Sequence, residues 1–536
     1  MLGKQLVIDF LKKNNIKNIF HLPGIHTLPL NEILNKHNIN VFVGRHESGV
    51  VFMADGYAGT TGETGVVFIT PGPGLGNAVS GCMEAYGNDV PLLILYIDTK
   101  RKDAGKGILH GIAKPEEIFT HFVKKTAIVQ DPGNITPTLD HAYKTANSIR
   151  KGPVVVSLPY EFLEKKIPQF LLENKIKSEI NESPKQGRVI DLNLDDLEKA
   201  LQGKKRPLIL GGKSLMFEEA GLLVDEICTN SSIPFFTSTN GKGIVREDSI
   251  YAFGNVIQNG IAKNMLKSSD VVIAIGTRLR EADTKKRGVK IEELIHFDVD
   301  DRWINKNYPA KLHIAGDVGK SLTALGNIIK NRKFEWNLKD LKEIQRKEYG
   351  VLKKTAPGFY LIDLIRQVIP ENTSIVCDLN FPSYWAEYFF PVFHQNSFLM
   401  PRGASPIFYS LPASIGAKTG RPEKPCLCLA GDGSVLPSLA ELATIVKYNI
   451  PLVLFIHNNN SYGILESIMK EHYGISGSME LKNPDFVKIA EAFDIRAKRV
   501  EDLDELRTTF IKDVQWNEPY IIEFKSPILP LPWEYK

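Results

Sequence analysis

The stretch from Cys426 to Gly463 constrains the fold more than any other. An apolar run, Cys426 to Ala430, is broken by Gly431-Asp432-Gly433-Ser434. Leu436, Leu439, Leu442, Ala443, Ile445 and Val446 then recur at helical spacing, and a second apolar run, Pro451 to Ile456, ends in His457-Asn458-Asn459-Asn460. Short apolar runs flanking an amphipathic helix predict a strand–helix–strand unit of a buried parallel sheet. Its right-handed crossover sets the two strand ends side by side. Asp432 and Asn459 then share the carboxyl edge of the sheet, where open α/β folds bind their ligands.

Those residue types suit a magnesium-bound diphosphate. Magnesium takes about six oxygen ligands in a tight octahedron, commonly carboxylate, amide and phosphate oxygens. Asp432 supplies charge, Asn459 a neutral oxygen, and the backbone carbonyl at Ser461 a third protein ligand. Gly431 and Gly433 let phosphate approach the backbone, and the helix N-terminus at Ser434 favours its charge. For Gly-Asp-Gly alone, an ordinary polar strand-to-helix turn is the better explanation. The paired ends, with Asn459 27 positions after Asp432, resemble the thiamine diphosphate signature, and that resemblance tips the balance toward a ligand site.

Length bounds the rest. A chain of 536 residues predicts two to four domains. With 66 basic against 62 acidic residues, the net charge of +4 includes no basic block for nucleic acid or a membrane surface. Cys82, Cys228, Cys377, Cys426 and Cys428 lie mainly in apolar segments, which predicts reduced, buried thiols; Cys426-x-Cys428 lacks zinc-knuckle spacing. The N-terminus reads as an amphipathic helix broken by lysines, not a signal peptide, and no apolar run reaches transmembrane length. The expected location is the cytoplasm.

Strand and helix patterns alternate through three segments, so the expected fold is α/β, with three doubly wound parallel-sheet domains over 1–165, 186–335 and 355–536. In the first, strands are expected at Ile19–His21, Val41–Val43, Val66–Thr70, Leu92–Ile97 and Val154–Leu158, with helices from Ser48 and from the Pro71–Asn77 loop to about Tyr86. The charged segment 164–188 reads as a surface linker. In the second, strands are expected at Pro207–Leu210, Val271–Ile275 and Leu294–Val299. They run into Gly211-Gly212-Lys213 and Gly276-Thr277-Arg278, turns able to touch a nucleotide. Residues 331–357 form a charged, partly helical connection.

Gly44-Arg45-His46-Glu47 precedes a helix, where a carboxylate complements the dipole. Its context changes its meaning. SGVVFMADGYAG and TPGPGLGN follow in order, and together with the Asp432–Asn459 signature the series resembles thiamine diphosphate enzymes. The resemblance spans nearly the whole chain, as pyrimidine-binding, middle and diphosphate-binding domains. It implies that Glu47 hydrogen-bonds the cofactor's aminopyrimidine ring and so activates the thiazolium carbon. It also implies that Pro23, Gly24, Asn77, Ser405, Gly431, Gly433, Ser434 and Tyr462 line the cofactor, and that Ile407 wedges it into a bent shape. That bend is a proximity effect. Core packing accounts for Ile407 equally well, and Phe408 departs from the glycine many relatives carry there. Asp432, Asn459 and Ser461 are the implied magnesium ligands. His26 and His110 fall in loops that handle substrate protons in relatives. A structural histidine is the plain alternative for each.

The chain resembles the acetolactate synthase, benzoylformate decarboxylase and pyruvate decarboxylase superfamily. The implied cofactors are thiamine diphosphate and Mg2+; FAD in the middle domain is the minor expectation. Gly463–Ile468 lacks the Trp of flavin-containing synthases, and His110-Gly111 stands where synthases have Phe-Gln. Pro23–Leu28 resembles a decarboxylase of a basic 2-oxo acid. The expected activity is decarboxylation of a 2-oxo acid through an enamine, with carboligation to a second carbonyl open to the same intermediate. Acetolactate synthesis from pyruvate is the first alternative, and a non-catalytic assembly partner that binds cofactor is another. Family architecture implies a homodimer or homotetramer with active sites at subunit interfaces.

Overall fold

A computed structural model describes residues 1–103, 105–168, 193–217 and 219–535. Its strands form three six-stranded sheets, parallel throughout. The first contains β1 (Asn18–His21), β2 (Asn40–Val43), β3 (Gly65–Ile69), β4 (Leu92–Asp98), β5 (Lys125–Ile128) and β6 (Val154–Pro159), ordered β2-β1-β3-β4-β6-β5. The second contains β7 (Pro207–Gly211), β8 (Phe235–Thr237), β9 (Ala252–Asn255), β10 (Val271–Ile275), β11 (Leu294–Asp298) and β12 (Leu312–Ala315), ordered β12-β11-β10-β7-β8-β9. The third contains β13 (Ser374–Cys377), β14 (Phe398–Leu399), β15 (Cys426–Gly431), β16 (Val453–Asn458), β17 (Arg496–Val500) and β18 (Tyr520–Lys525), ordered β14-β13-β15-β16-β18-β17.

The central strands β3, β7, β10, β15 and β16 are buried at every position. Both faces of each sheet are covered, as parallel sheets require, and their sequences are accordingly continuous apolar runs. The five cysteines are free and buried. The expected linker 164–188 falls mostly outside the described residues, as does the expected start of the middle domain at 186. The connection 331–357 carries a long helix, Leu338–Thr355, capped by the Asn337 side chain. No described helix is long and apolar enough to cross a membrane.

First and third sheets are joined through two glycine-bearing helices. A Cβ on Gly56 of the helix Glu47–Thr61 would lie 1.9 Å from Ala413 O, and one on Gly416 of the helix Ser410–Gly420 would lie 1.7 Å from Met53 O. Only glycine lets the backbones approach this closely. The buried Tyr409 hydroxyl donates to Asp55 Oδ1 at 2.7 Å across the same contact.

One expectation needs correction. The segment from Leu436 is not one continuous helix, although Leu442 and Ile445 are buried as the spacing predicts. It breaks into Asp432–Val435, a 3-10 turn Leu436–Glu441 and Leu442–Lys447. Leu436 and Val446 are exposed, while Ser438, Glu441 and Thr444 are buried. The inward face meets polar backbone of the first domain. Glu441 Oε1 accepts from Arg45 N at 2.9 Å, Thr444 Oγ1 donates to Val43 O, and Tyr448 OH accepts from Val43 N at 2.8 Å.

Candidate functional site

β15 and β16 are neighbours with Gly431 opposite His457, so Asp432 and the loop at Asn459 leave the sheet side by side. They line a cleft of about 180 Å3 with Asn380, Phe381, Tyr384, Ile407, Ser461 and Leu465, among others. The cleft's lining comes wholly from the third domain.

Asp432 is 3% exposed. Burial pushes its pKa up, opposed by hydrogen bonds from the Gly433 N–H, the Asn483 amide and the N–H groups of Asn460 and Asn459. A cation in the cleft would settle the desolvated carboxylate in its charged form. Asn459 Oδ1 accepts from Ser461 N at 3.0 Å, holding the amide in the loop. The Ser461 hydroxyl is shared between Glu466 Oε2 and Met479 O and its N–H is taken by Asn459, which leaves the main-chain carbonyl. Carboxylate, amide and carbonyl oxygens are the hard donors magnesium takes. Gly433 is needed for space, because a Cβ there would lie 2.6 Å from the Tyr462 ring. Ser434 Oγ caps the turn by accepting from Gly431 N at 3.1 Å.

Ile407 reaches the same cleft and is 45% exposed, so it is not a core residue. Phe408 beside it sits at φ +79°, a left-handed conformation costly for a bulky side chain. The preceding loop is pinned from the first domain. Buried Glu84 accepts from the N–H groups of Gly403, Ala404 and Ser405 at 2.8, 2.7 and 3.0 Å.

The other expected residues gather on the first domain. Glu47 opens its helix at 8% exposure, and its Oε2 accepts from Asn77 Nδ2 at 2.9 Å. Gly74 lies against it; a Cβ there would be 3.5 Å from Glu47 Oε1 and 3.0 Å from Thr70 Oγ1. Gly24 packs on the Thr70 side chain, with exposed Pro23 before it. The His26 and His110 rings lie 5.5 Å apart, and the Nδ1 of each is buried without a partner. Burial, then the neighbouring His110, lowers the His26 pKa. Thus Glu47, His26 and His110 are near one another, but none lines the Asp432 cleft.

Structure adds residues that motif spacing did not reach. Asn483 Nδ2 donates to Asp432 Oδ2 at 2.7 Å. Glu84 and Glu441 tie the two domains together. All three act through partners far away in sequence, and no local pattern marks them.

The middle-domain crevice lies at the carboxyl ends of β7 and β10, where the strand order reverses. It measures about 40 Å3, room for a few water molecules. Arg150 pairs with Asp89, Asp298 and Asp300 at 3.0, 2.6 and 2.9 Å, Arg280 with Asp283 at 2.6 Å, and Arg278 lies 3.5 Å from Asp89. Lys213 fills the remaining edge and donates to Asn88 O. The three arginines are matched by carboxylates, while Lys213 is held by a backbone carbonyl. No described feature of the crevice supports the minor expectation of FAD.

Three parallel sheets, with a buried carboxylate and an amide at neighbouring strand ends, define an α/β protein built to hold a phosphorylated cofactor. Comparison with known families is specific. Residues 1–118 match the thiamine pyrophosphate enzyme N-terminal TPP binding domain, 194–325 the central domain and 381–524 the C-terminal TPP binding domain. The chain belongs to the thiamine pyrophosphate-dependent enzymes. It is 28% identical to a probable 2-ketoarginine decarboxylase of Pseudomonas aeruginosa, over 94% of this chain and 90% of the relative. It is 29% identical to a probable acetolactate synthase large subunit of Methanocaldococcus jannaschii, over 98% and 91%. Against the acetolactate synthase large subunit of Pyropia yezoensis it is 27% identical, over 97% and 91%.

Proposed function

We propose that this chain is a thiamine diphosphate- and magnesium-dependent decarboxylase of a 2-oxo acid. The observation that carries this reading is the cleft where Asp432, Asn459 and Ser461 converge. Asp432, Asn459 and the Ser461 carbonyl hold the cation, and Gly431, Gly433 and Ser434 receive the diphosphate. Thiamine diphosphate, when bound, supplies a nucleophilic ring carbon and an electron sink. Ile407 presses on the cofactor from the cleft wall and is held there by the loop that Glu84 pins. Glu47, oriented by Asn77, holds or gives up a proton at the aminopyrimidine ring. His26 and His110 orient the 2-oxo acid and move protons at its carbonyl and carboxylate.

Two copies complete one centre in this proposal. Glu47, His26 and His110 sit apart from the Asp432 cleft on the same chain. Apolar side chains flank both halves: Ile25 and Leu109 are 63% and 75% exposed on one, Leu465 and Tyr473 53% and 76% on the other. A homodimer or homotetramer that places one copy's first domain over another's cleft joins the halves and covers these residues.

The 2-ketoarginine decarboxylase relative supports decarboxylation of a basic 2-oxo acid, and the synthase relatives support condensation of pyruvate. Product analysis separates them. Purified protein with Mg2+ and thiamine diphosphate is offered pyruvate, benzoylformate and 2-ketoarginine, and carbon dioxide and carbonyl products are followed. Carbon dioxide with the aldehyde from one of the longer acids is expected. Acetolactate as the main product from pyruvate would replace this reading with the synthase one, and no turnover of any acid would overturn it.

A further inference from the structure

The cation site has a member that the carboxylate, amide and carbonyl set does not include. Asn483 sits on the chain segment that returns across the Asn459–Tyr462 loop after the helix Gly463–Tyr473. That segment is fastened by Tyr462 N to Met479 O at 2.9 Å and Leu481 N to Asn460 O at 2.7 Å. Asn483 Nδ2 then donates to Asp432 Oδ2 at 2.7 Å and to Asn458 Oδ1 at 3.0 Å, with Asn460 Oδ1 at 3.3 Å. Three acceptors surround that nitrogen, so the amide cannot be turned over without facing oxygen to oxygen. Its orientation is thereby determined. Asn483 Oδ1 is consequently a buried acceptor with no partner, a state that costs about 1–3 kcal/mol when left unmade. A donor is called for, and nothing among the described residues supplies one.

We propose that Asn483 is a positioning residue of the cation centre. Its Nδ2 holds the Asp432 carboxylate, which lines the cleft, in one rotamer, and its Oδ1 would accept from a water that a bound cation brings. Magnesium keeps several of its waters when bound by few protein ligands, so such a donor arrives with it. Groups that orient a ligating carboxylate typically contribute about 10–100-fold to metal affinity. This inference rests on the thiamine diphosphate reading of the cleft and concerns its metal half.

The test is binding, not turnover. Half-saturating Mg2+ is measured by calorimetry at saturating thiamine diphosphate for the wild type, Asn483→Leu and, as a smaller change, Asn483→Ser. Thermal unfolding without cofactor or metal accompanies each. Both variants are expected to need about 10–100-fold more Mg2+, to recover wild-type thiamine diphosphate affinity when Mg2+ is raised in proportion, and to unfold without ligands near the wild-type temperature. Recovery at high Mg2+ is the signature that general damage to the loop does not give. Half-saturation within twofold of wild type in the folded variant, or a loss that excess Mg2+ fails to restore, overturns the role of Asn483 alone. A wild type that binds no thiamine diphosphate with Mg2+ overturns the reading of the cleft and this inference with it.

Discussion

Asn77 Nδ2 donates to Glu47 Oε2 at 2.9 Å, while Ser48 Oγ donates back to Asn77 O at 2.5 Å. The two helices that open at Glu47 and Pro73 are thus locked near their N-termini, and the carboxylate has one oxygen committed and one free toward the glycine loop. Glu47→Gln keeps the size and removes the proton-exchanging group. It should lower carbon dioxide release by at least about 100-fold while thiamine diphosphate still binds. Asn77→Ala, which only frees the carboxylate to turn, should cost on the order of tenfold, the weight of one hydrogen bond to a charged group. Steady-state turnover beside calorimetric cofactor binding checks both, and unchanged turnover in Glu47→Gln would remove Glu47 from the chemistry.

His26 and His110 face each other with both Nδ1 atoms buried and unpartnered. Two such orphans are costly in a merely structural pair, which points to a polar guest between them. Replacing either with Gln should lower kcat by about 100-fold with a smaller change in KM. The double replacement should cost much less than the product of the two, because groups acting on one substrate are not independent. Multiplicative losses would separate them.

Close approach of the helices Glu47–Thr61 and Ser410–Gly420 reverses a general rule. In an exposed helix interior, Gly→Ala stabilises by about 1 kcal/mol. Gly350→Ala should do so, since its Cβ would meet nothing within 4 Å. Gly416→Ala puts a methyl 1.7 Å from a backbone oxygen that no rotamer can move and should destabilise by at least about 2 kcal/mol. The two denaturation midpoints should move in opposite directions.

Several strands buried on both faces were legible, although β8, β13 and β18 were not among those expected. Val271–Ile275 matches β10 residue for residue, and Cys426–Ala430 and Pro451–Ile456 lie within about two residues of β15 and β16. Edge strands were less so: Val41–Val43 falls within the edge strand β2, but others escaped. β5 is Lys-Thr-Ala-Ile and half exposed, and β17 is Arg-Ala-Lys-Arg-Val, both without the apolar run that betrays a central strand. At the site, Asp432 and Asn459 could be paired because one crossover joins them. Asn483 meets Asp432 only because a later segment folds back, and Glu84 reaches Ser405 across a domain boundary. Leu436 and Val446 misled in part: Leu442 and Ile445 are buried as expected, while Glu441 and Thr444 on the same segment bind backbone of the first domain.

Asp55 offers a test of that domain contact through pH. It is buried at 1% exposure, its Oδ1 accepts from Tyr409 OH at 2.7 Å, and its Oδ2 has no partner. Burial, helped by the nearby Glu84 carboxylate, raises its pKa from 3.8 to about 7. Below pH 3.8 both folded and unfolded chains carry the proton, so the group is neutral to stability. As pH rises from 3.8 toward 7 the unfolded chain ionises first and binds fewer protons, so stability falls by up to ~1.4 kcal/mol per pH unit and levels off above about 7. Asn at this position keeps an acceptor for Tyr409 and cannot ionise. Asp55→Asn should therefore match the wild type near pH 4 and gain on it steadily to about pH 7, the difference then staying constant. Urea midpoints of the two proteins between pH 4 and 8 check this. A difference that does not change with pH would mean that Asp55 is already ionised in the folded chain, held by Lys213 across the domain contact.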